Sequence, residues 1–250
     1  MSESIRAVER ALDVLMCFSN QSPALTMTQI SERVGINKST VHRLLATLEA
    51  KRFVERDPLT GIYKPGLRLL QLASLTLEHN DLRRLASPFI HKLCEQIREN
   101  VNLSVIDDAD VVYLDVIESP QRVKLAAAPG ESLPAFCTAS GKAILAFLPE
   151  ETVMRILEQG MPRQTQATLV TPEAFWENSH QIREQGFAIS EQEFEEGINA
   201  IAAPICHFPI ASVSIAGPAY RLTRERMLEI GPLLVKVANE IAHEIEIAKI

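Results

Sequence analysis

The chain has 250 residues, 46% of them hydrophobic and 23% charged, which is the composition of a globular protein with one large or two smaller domains. No apolar run reaches the roughly 18 residues that a membrane helix requires, and the segment MSESIRAVER has no apolar signal core, so we expect neither a membrane partner nor export. The scattered cysteines form no CxxC pair, which predicts free thiols in a cytoplasmic protein: Cys17, Cys94, Cys137 and Cys206.

The net charge of −7 argues at first against a nucleic-acid partner, but the charge is unevenly distributed. Residues 1–66 hold nine Lys/Arg and seven Asp/Glu, a balance of +2, whereas residues 67–250 hold sixteen and twenty-five, a balance of −9. Phosphate binding depends on the charge within about 10 Å, so the local balance decides it. The asymmetry predicts a DNA-facing N-terminal module on an acidic body.

A first helix is predicted near the N-terminus, with Ser4 as its cap. Its apolar face is expected to pack against the next two helices and consists of Ile5, Val8, Leu12 and Leu15. Arg10 lies on or near the exposed side, where it could meet either phosphate or solvent.

The stretch TMTQISERVGINKSTVHRLLATLEAKRFVER, residues 26–56, predicts two helices joined by a tight turn. Thr26 and Gln29 form a capping-box pattern, Gly35 can end the first helix in the left-handed conformation, and Asn37 can cap the second. The second helix has a buried stripe made of Val41, Leu44, Leu45 and Leu48. Its opposite face is polar and cationic and carries Lys38, Ser39, Thr40, His42, Arg43 and Thr47.

This pattern predicts a helix-turn-helix, because a helix with a short cationic face fits the major groove of DNA and its N-terminal residues reach base edges. The alternative is a pair of amphipathic helices in an ordinary core. Two short runs around Asp57-Pro58-Leu59-Thr60-Gly61 then predict a hairpin, which would complete a winged helix-turn-helix over residues 4–66. Arg56 and Lys64 would sit on or beside this wing as phosphate contacts. The hairpin could instead be the edge of an unrelated sheet.

Residues 67–80, LRLLQLASLTLEHN, predict a helix that is apolar over most of its girth. Such a helix is buried or pairs with another chain, so we interpret it as a linker and a dimer contact.

Residues 81–250 predict an α+β domain with one sheet and flanking helices. We expect a helix beginning at Ser87-Pro88, and its buried side at Phe89, Ile90, Leu93, Cys94 and Ile97. Strands are predicted at residues 102–106, 111–117, 123–128, 200–206 and 210–216. Helices are predicted at residues 141–147, 149–159 and 172–185, and after Thr223.

The loop Cys137–Ala143 lacks the glycines of a phosphate loop and of a nucleophile elbow. Its small residues could open a helix whose free N–H groups bind a carboxylate, or they could merely allow a tight helix–sheet contact. In the strand that follows Ile210, Ser212, Ser214 and Ala216 share one small, hydroxylic face. That face suits a cavity for a small polar ligand, or it faces solvent.

No catalytic constellation, metal site or cofactor site is predicted. The acidic cluster is expected to be a solvated surface run and comprises Glu191, Glu193, Glu195 and Glu196. Cys206 and His207 are adjacent, so on a strand they point in opposite directions and cannot hold one zinc ion together.

Taken together, the chain resembles the IclR family of bacterial transcriptional regulators over nearly all its length. The resemblance rests on the motifs ERAL (9–12), VGINKSTVHRLL (34–45), YKPG (63–66), GKA (141–143), GINAIAAP (197–204) and SVSIAGP (212–218). It implies a winged helix for DNA, a GAF-like domain for a small effector that is often a carboxylate or an aromatic metabolite, and dimers or dimers of dimers.

In similar proteins the effector contacts the positions held here by Ala139, Ser140, Ser190, Ala200, Ser214 and Ala216. Some relatives have Asp, Cys and Ser where this chain has Ser190, Ala200 and Ala216. These differences remove polar groups, which predicts a pocket roomier and less polar than a very small keto acid needs. Ser212 is added to the predicted effector site because it shares a strand face with Ser214 and Ala216.

The sequence thus predicts an effector-controlled transcription factor that binds a pseudo-palindromic operator as a dimer. Two alternatives remain: a metabolite-handling enzyme with an accessory helix-turn-helix that uses the Cys137–Lys142 loop, and a DNA-binding architectural protein without an effector.

Overall fold

The computed structural model describes residues 5–19, 21–206 and 211–248. Compactness divides the chain into two units, Met1–His79 and Asn80–Ile250. In the described parts of the chain, no helix is long and apolar enough to cross a membrane.

The first unit contains three helices, a short hairpin and a fourth helix. Its elements are α1 (Arg6–Met16), α2 (Met27–Val34), α3 (Lys38–Ala50), β1 (Val54–Arg56), β2 (Tyr63–Pro65) and α4 (Leu67–Glu78). Strands β1 and β2 pair antiparallel, and a further bridge joins Leu25 to Tyr63, so the segment before α2 adds an edge to the hairpin. This is the predicted winged helix-turn-helix.

Local capping groups fix where α2 and α3 begin and end. The Gln29 N–H donates to Thr26 Oγ1 at 3.3 Å, and the Thr26 N–H donates to Gln29 Oε1 at 2.8 Å, which completes the predicted capping box. Gly35 ends α2 with φ +67°, and Asn37 Oδ1 accepts the Thr40 N–H at 2.9 Å to begin α3. The turn predicted from these four residues is therefore confirmed.

The core of the first unit anchors α3 along its inner side. Val41 and Leu45 are fully buried, and Leu44 and Leu48 pack partly against the same cluster. The other buried members are Val14, Leu25, Ile30, Val54 and Tyr63. Because these contacts come from α1, α2, α3 and both strands, they fix which side of α3 faces outward.

The predicted inner face of α1 is wrong. Ile5, Val8 and Leu12 are 68%, 54% and 55% exposed, and of the four predicted residues only Leu15 packs partly against the core. The helix docks instead through Val14, which is fully buried near its C-terminal end, so the apolar stripe that begins at Ile5 turns outward. The predicted cap, Ser4, lies outside the described residues.

Helix α4 is present where residues 67–80 predict it, but none of its residues is buried. Its start is fixed by Gly66, where a Cβ would lie 2.3 Å from the main-chain oxygen of Arg52. Leu67, Leu70 and Leu75 remain more than half exposed. A helix of this composition with no cover in its own unit leaves a large apolar surface exposed.

The second unit is built on one antiparallel sheet. Its elements are α5 (Asp81–Ile97), β3 (Asn100–Asp107), β4 (Asp110–Ile117), β5 (Ser132–Pro134), α6 (Ala139–Leu145), α7 (Glu150–Leu157), α8 (Pro172–Gln185), β6 (Ala188–Glu191), β7 (Ile198–Ile205), β8 (Ala211–Pro218) and α9 (Arg224–Ala248). Six strands lie in the order β5-β4-β3-β8-β7-β6, with every neighbouring pair antiparallel. The predicted α+β class is confirmed.

The sheet separates two layers of helices. On one face, Leu103, Val213 and Ile215 join the large core under α5 and α9. On the other face, Ala139 and Ala143 of α6 pack against Ala202 of β7. Since successive residues of a strand point to opposite faces, the residues between the core positions of β3 and β8 lie under α6.

Two predicted elements of this unit are wrong. Helix α5 begins at Asp81 rather than at Ser87-Pro88, because Asn80 Oδ1 caps it by accepting the Arg83 N–H at 2.9 Å, and the exposed Pro88 is accommodated inside the helix.

The strand predicted at residues 123–128 is absent. Two main-chain carbonyls of this segment accept hydrogen bonds from side chains instead of from a neighbouring strand. Asn100 Nδ2 donates to Leu125 O at 3.1 Å, and Arg221 donates to Val123 O at 2.9 Å. The strand that pairs with β4 is β5, which the sequence analysis did not predict. Strand β6 was also missed.

Candidate functional site

The outward face of α3 carries most of the predicted DNA contacts. Lys38, Ser39, His42 and Arg43 are exposed, and Thr40 is half-buried. Neither Lys38 nor Arg43 forms an ion pair with another residue in the described part of the chain. Because the core anchors the inner side of α3, these two cations are presented on a rigid surface and are available to phosphates or base edges.

Three further predicted cations flank α3. Arg10 is half-buried on α1, whereas Arg56 is exposed and its guanidinium stacks 5.8 Å from the ring centroid of Tyr63. Lys64 Nζ lies 3.3 Å from Glu55 Oε2, so part of its charge is already balanced. Stacking holds Arg56 while its N–H edge stays free for a hydrogen bond, and Arg56 is therefore the better placed of the two wing cations.

In the second unit, cross-strand pairing gathers polar side chains on the face of the sheet under α6. Ser104 of β3 is opposite Ser212 of β8, and Asn102 is opposite Ser214. All four side chains are at most 2% exposed, so the solvent-facing alternative for the Ser212–Ala216 strand is wrong. Such a polar floor in a protein interior needs hydrogen-bond partners, either from the protein or from a ligand.

Above this floor lies a cavity of about 100 Å³. Six residues predicted to contact the effector line it: Ala139, Ser140, Ser190, Ala200, Ser214 and Ala216. Ser212, the seventh, is buried beside it and does not line it. The structure thus brings together residues from α6, β6, β7 and β8, and their contact with an effector stays a prediction.

The sequence analysis missed other residues that line the cavity. Apolar walls come from Leu125, Leu133, Phe194 and Ile198, and polar atoms come from Tyr113, Glu131, Thr138 and Glu195. Leu125 lies in the segment that was wrongly predicted as a strand, and Leu133 lies in β5, which was not predicted. No periodic signal marks most of these residues, because loops and short elements carry them; Tyr113 and Ile198 belong to the longer strands β4 and β7.

Hydrogen bonds below the cavity set which hydroxyl protons remain free. Ser190 donates to the carbonyl oxygen of Cys137 at 3.1 Å, so it presents lone pairs toward the cavity. Ser104 donates to Ser140 at 3.4 Å, and Asn102 donates to Ser214 at 3.5 Å. Ser140 and Ser214 therefore keep their own protons free to donate to an acceptor.

The start of α6 has both features that the sequence offered as alternatives: a tight contact that requires a small residue, and free N–H groups in the first turn of a helix. At Gly141 a Cβ would lie 2.1 Å from the main-chain oxygen of Ala135, so the tight contact between α6 and the preceding segment requires glycine. Thr138 Oγ1 caps the helix by accepting the Gly141 N–H at 3.2 Å. The N–H groups of Ala139 and Ser140 belong to the first turn, where no helical carbonyl can accept them, and both residues line the cavity.

A buried ion pair joins two walls of the cavity. Lys142 is fully buried in α6 and donates to the Glu193 carboxylate and to Ile189 O, the latter at 2.7 Å. The next two residues of the chain, Phe194 and Glu195, line the cavity. Glu193 is thus no part of a solvated run, and that expectation is wrong for it, because a lysine 51 positions earlier in the chain meets it inside the fold.

Desolvation dominates the electrostatics of this pair. Burial lowers the pKa of the Lys142 ammonium and raises the pKa of the Glu193 carboxyl, since the loss of water outweighs their mutual attraction. The main-chain carbonyl of Glu193 is also held, by the hydroxyl of Thr168 at 2.7 Å. The segment around Glu193 is therefore fixed from both sides.

The Cys137–Lys142 loop cannot supply a nucleophile. Cys137 is fully buried, and this burial, together with the nearby Glu193 carboxylate, raises the pKa of its thiol to about 12. Lys142 is engaged in its ion pair. A thiol in this environment stays protonated and inert, which removes the basis of the enzyme alternative.

A winged helix-turn-helix with free cations on α3, carried by a chain whose second unit holds a small cavity, defines a DNA-binding regulator with a ligand-sensing domain. Known proteins give the same class. Residues 7–58 match the IclR helix-turn-helix domain, and residues 74–243 match the family described as bacterial transcriptional regulator IclR C-terminal. The chain belongs to the IclR family.

Individual relatives span almost the whole chain. The chain is 30% identical over 245 residues to the transcriptional repressor IclR of Escherichia coli, which covers 95% of this chain and 89% of that protein. It is 32% identical over 241 residues to the transcriptional repressor AllR of Salmonella paratyphi A, with the same coverage.

Solved structures give the same architecture. An IclR family regulator from Brucella abortus has a TM-score of 0.85 at 27% identity and covers 96% of this chain and 93% of its own. These relatives are transcriptional regulators, not enzymes, and this chain is a regulator of the same family with a DNA-binding and an effector-binding domain.

The buried ion pair generates a stability prediction. Lys142→Met leaves the Glu193 carboxylate buried without its partner, so we expect the free energy of unfolding to fall by about 3–5 kcal/mol. Urea denaturation followed by the fluorescence of Trp176, the single tryptophan of the chain, measures this in the second unit. Lys236→Met, at an exposed lysine of α9, is the control and should change little. Equal effects of the two substitutions would contradict this role of the pair.

Proposed function

We propose that α3 reads the operator through Lys38, Ser39, Thr40, His42 and Arg43, while Arg10, Arg56 and Lys64 contact phosphates. The single observation that supports this best is the free cationic face of α3 opposite its anchored inner side. Lys38 and the residues after it lie in the first turn of α3, the part of a recognition helix that reaches base edges. The flanking cations would position the domain without reading sequence.

For the effector we propose a small organic acid or aromatic metabolite that occupies the cavity of the second unit. A volume of about 100 Å³ holds roughly 7–10 water-sized groups, which suits a compact molecule rather than a nucleotide or sugar phosphate. The first-turn N–H groups of α6 and the hydroxyls of Ser140 and Ser214 are donors for a carboxylate. The walls formed by Leu125, Leu133 and Phe194 suit an apolar body.

We also propose that two copies of the chain associate through the first unit. The exposed apolar residues of α1 border a groove that continues to Leu44, Leu48 and Phe53, and α4 leaves its leucines uncovered. Apolar surface of this extent is typical of a contact between protein chains. Homodimers, alone or paired as dimers of dimers, would present two copies of α3 to a pseudo-palindromic operator with half-sites about 34 Å, or a multiple of it, apart.

In this proposal the regulator acts in the cytoplasm, where the operator lies. Helix α4 ends at Glu78 and α5 begins at Asp81, so two residues of chain connect the DNA-binding and the effector-binding units. An effector regulates only if it binds one arrangement of the dimer better than another, and a typical coupling is about 1–3 kcal/mol.

Arg43→Ala should weaken operator binding while the fold and effector binding stay intact. The loss of one cationic contact is expected to lower affinity about 10-fold or more and, where Arg43 meets a phosphate, to reduce the salt dependence by about one unit. Fluorescence anisotropy with operator DNA at several salt concentrations measures both. Arg226→Ala, at an exposed arginine of α9, serves as the control. Unchanged DNA affinity in the Arg43 variant would remove this residue from the interface.

Ser214→Leu should abolish the effector response and leave operator binding intact, because a larger side chain fills the floor of the cavity. Ser214→Ala removes only the hydroxyl and should weaken the response, which keeps the test informative if the larger residue disturbs the fold. Calorimetric titration of small organic acids and the release of operator DNA are the measurements. A full response in both variants would exclude Ser214 from the site.

Leu70→Glu, on the exposed side of α4, should shift the protein from dimer to monomer, because a carboxylate in an apolar contact is strongly desolvated. Sedimentation velocity measures the change. Leu59→Glu is the matched control, since Leu59 is 94% exposed at the tip of the hairpin. Dimers that persist in the Leu70 variant would argue against α4 as the contact.

A further inference from the structure

A β-bulge re-aims one side chain into the effector cavity. Between Leu103 and Ser104 the register of β3 against β4 shifts: Leu103 is opposite Asp115, but Ser104 is opposite Tyr113 rather than Leu114. Without the shift, Leu114 would share a face with Ser104. The bulge therefore turns Tyr113 to the side of the sheet that α6 covers and leaves Leu114 to pack against the core under α5 and α9.

The side chain of Tyr113 is enclosed, and its hydroxyl has no partner. Tyr113 lines the cavity and is 9% exposed, yet its hydroxyl makes no hydrogen bond to any other described residue. Burial, with a smaller contribution from the Glu131 carboxylate, raises the pKa of Tyr113 above its ordinary value, so the phenol remains an O–H donor at any physiological pH. Buried hydroxyls of tyrosine usually find a hydrogen-bond partner.

Glu131 supplies the second polar group at this end of the cavity. Its main-chain oxygen accepts the Tyr113 N–H at 3.0 Å, which fixes the two residues side by side. Its carboxylate accepts the Ala128 N–H at 3.2 Å, and Glu131 also lines the cavity. No lysine, arginine or histidine among the described residues lines the cavity, whereas a second carboxylate, that of Glu195, does.

We propose that Tyr113 and Glu131 form a specificity site that selects an effector bearing a hydroxyl group in addition to its carboxylate. This inference rests on the proposed effector cavity. A hydroxyl satisfies both residues at once, because it accepts the Tyr113 proton and donates its own to the Glu131 carboxylate. A second carboxylate on the effector would meet Glu131 as a like charge, and a bare apolar group would leave the Tyr113 hydroxyl unpaired.

The experiment compares matched probes: benzoate, its three monohydroxy isomers, and the three benzenedicarboxylates. Calorimetry on the full chain should give at least one hydroxybenzoate a Kd below that of benzoate by about 3- to 10-fold, the contribution of one ordinary hydrogen bond, while the dicarboxylates bind most weakly. Tyr113→Phe should remove the advantage of the hydroxyl without changing the Kd of benzoate. Glu131→Gln should remove part of it and improve the binding of the dicarboxylates.

Two controls separate this inference from the proposed function. Ser214→Leu identifies binding in the cavity, and urea denaturation followed by the fluorescence of Trp176 shows whether the second unit of each variant folds. Probes that bind in the cavity, with hydroxylated and plain benzoates equal in the unaltered chain or an advantage that survives Tyr113→Phe, overturn the specificity site alone. If no benzoate of either kind binds, the cavity does not take an aromatic acid, and this inference is overturned while a non-aromatic organic acid stays open to the calorimetric titrations described above.

Discussion

The buried contact between Lys142 and Glu193 is the constraint on which the second unit depends. It connects α6, whose first turn lines the cavity of this unit, to the segment that supplies Phe194 and Glu195 to the same cavity. Taking two charges out of water is unfavourable, and a pair of apolar residues could fill the same volume at similar stability. Unlike apolar contacts, however, the hydrogen bond between the Lys142 ammonium and the Glu193 carboxylate requires a defined distance and orientation of the two groups. It specifies the distance between the two walls, and with it the space that a ligand must fill.

The charge asymmetry of the sequence corresponds to a division of work between the two units. In the first unit, Lys38 and Arg43 lie on a helix that the core orients, and neither forms an ion pair within the described part of the chain. In the second unit, arginines are largely committed internally: Arg83 pairs with Asp115, and Arg221 pairs with Glu99. The acidic unit therefore offers few free cations to DNA. Attachment to an operator falls to the first unit, while the second is free to specialise in recognising a metabolite.

Sequence reasoning predicted what local chemistry decides. Caps and a glycine gave both ends of α2 and the start of α3, and the range predicted for α8, residues 172–185, is the one observed. The resemblance, together with strand alternation, gave six residues of the cavity wall. Long-range contacts were beyond its reach: Glu193 looked solvated because its lysine partner is distant in the chain, and the segment 123–128 looked like a strand because its hydrogen bonds to Asn100 and Arg221 could not be seen. The bulge that places Tyr113 has no sequence signal of its own.

In the proposed dimer, the exposure of helix α4 makes its stability depend on the concentration of the protein. A twelve-residue helix that buries none of its residues in its own unit has little to hold it together, since isolated helices of this length are marginal in water. If association supplies that stability, the order of α4 rises and falls with the concentration of the protein. Dilution would then disorder the helix that connects the DNA-binding and effector-binding units before the protein released its DNA or its effector. Cellular abundance would thereby become an input to regulation alongside the metabolite.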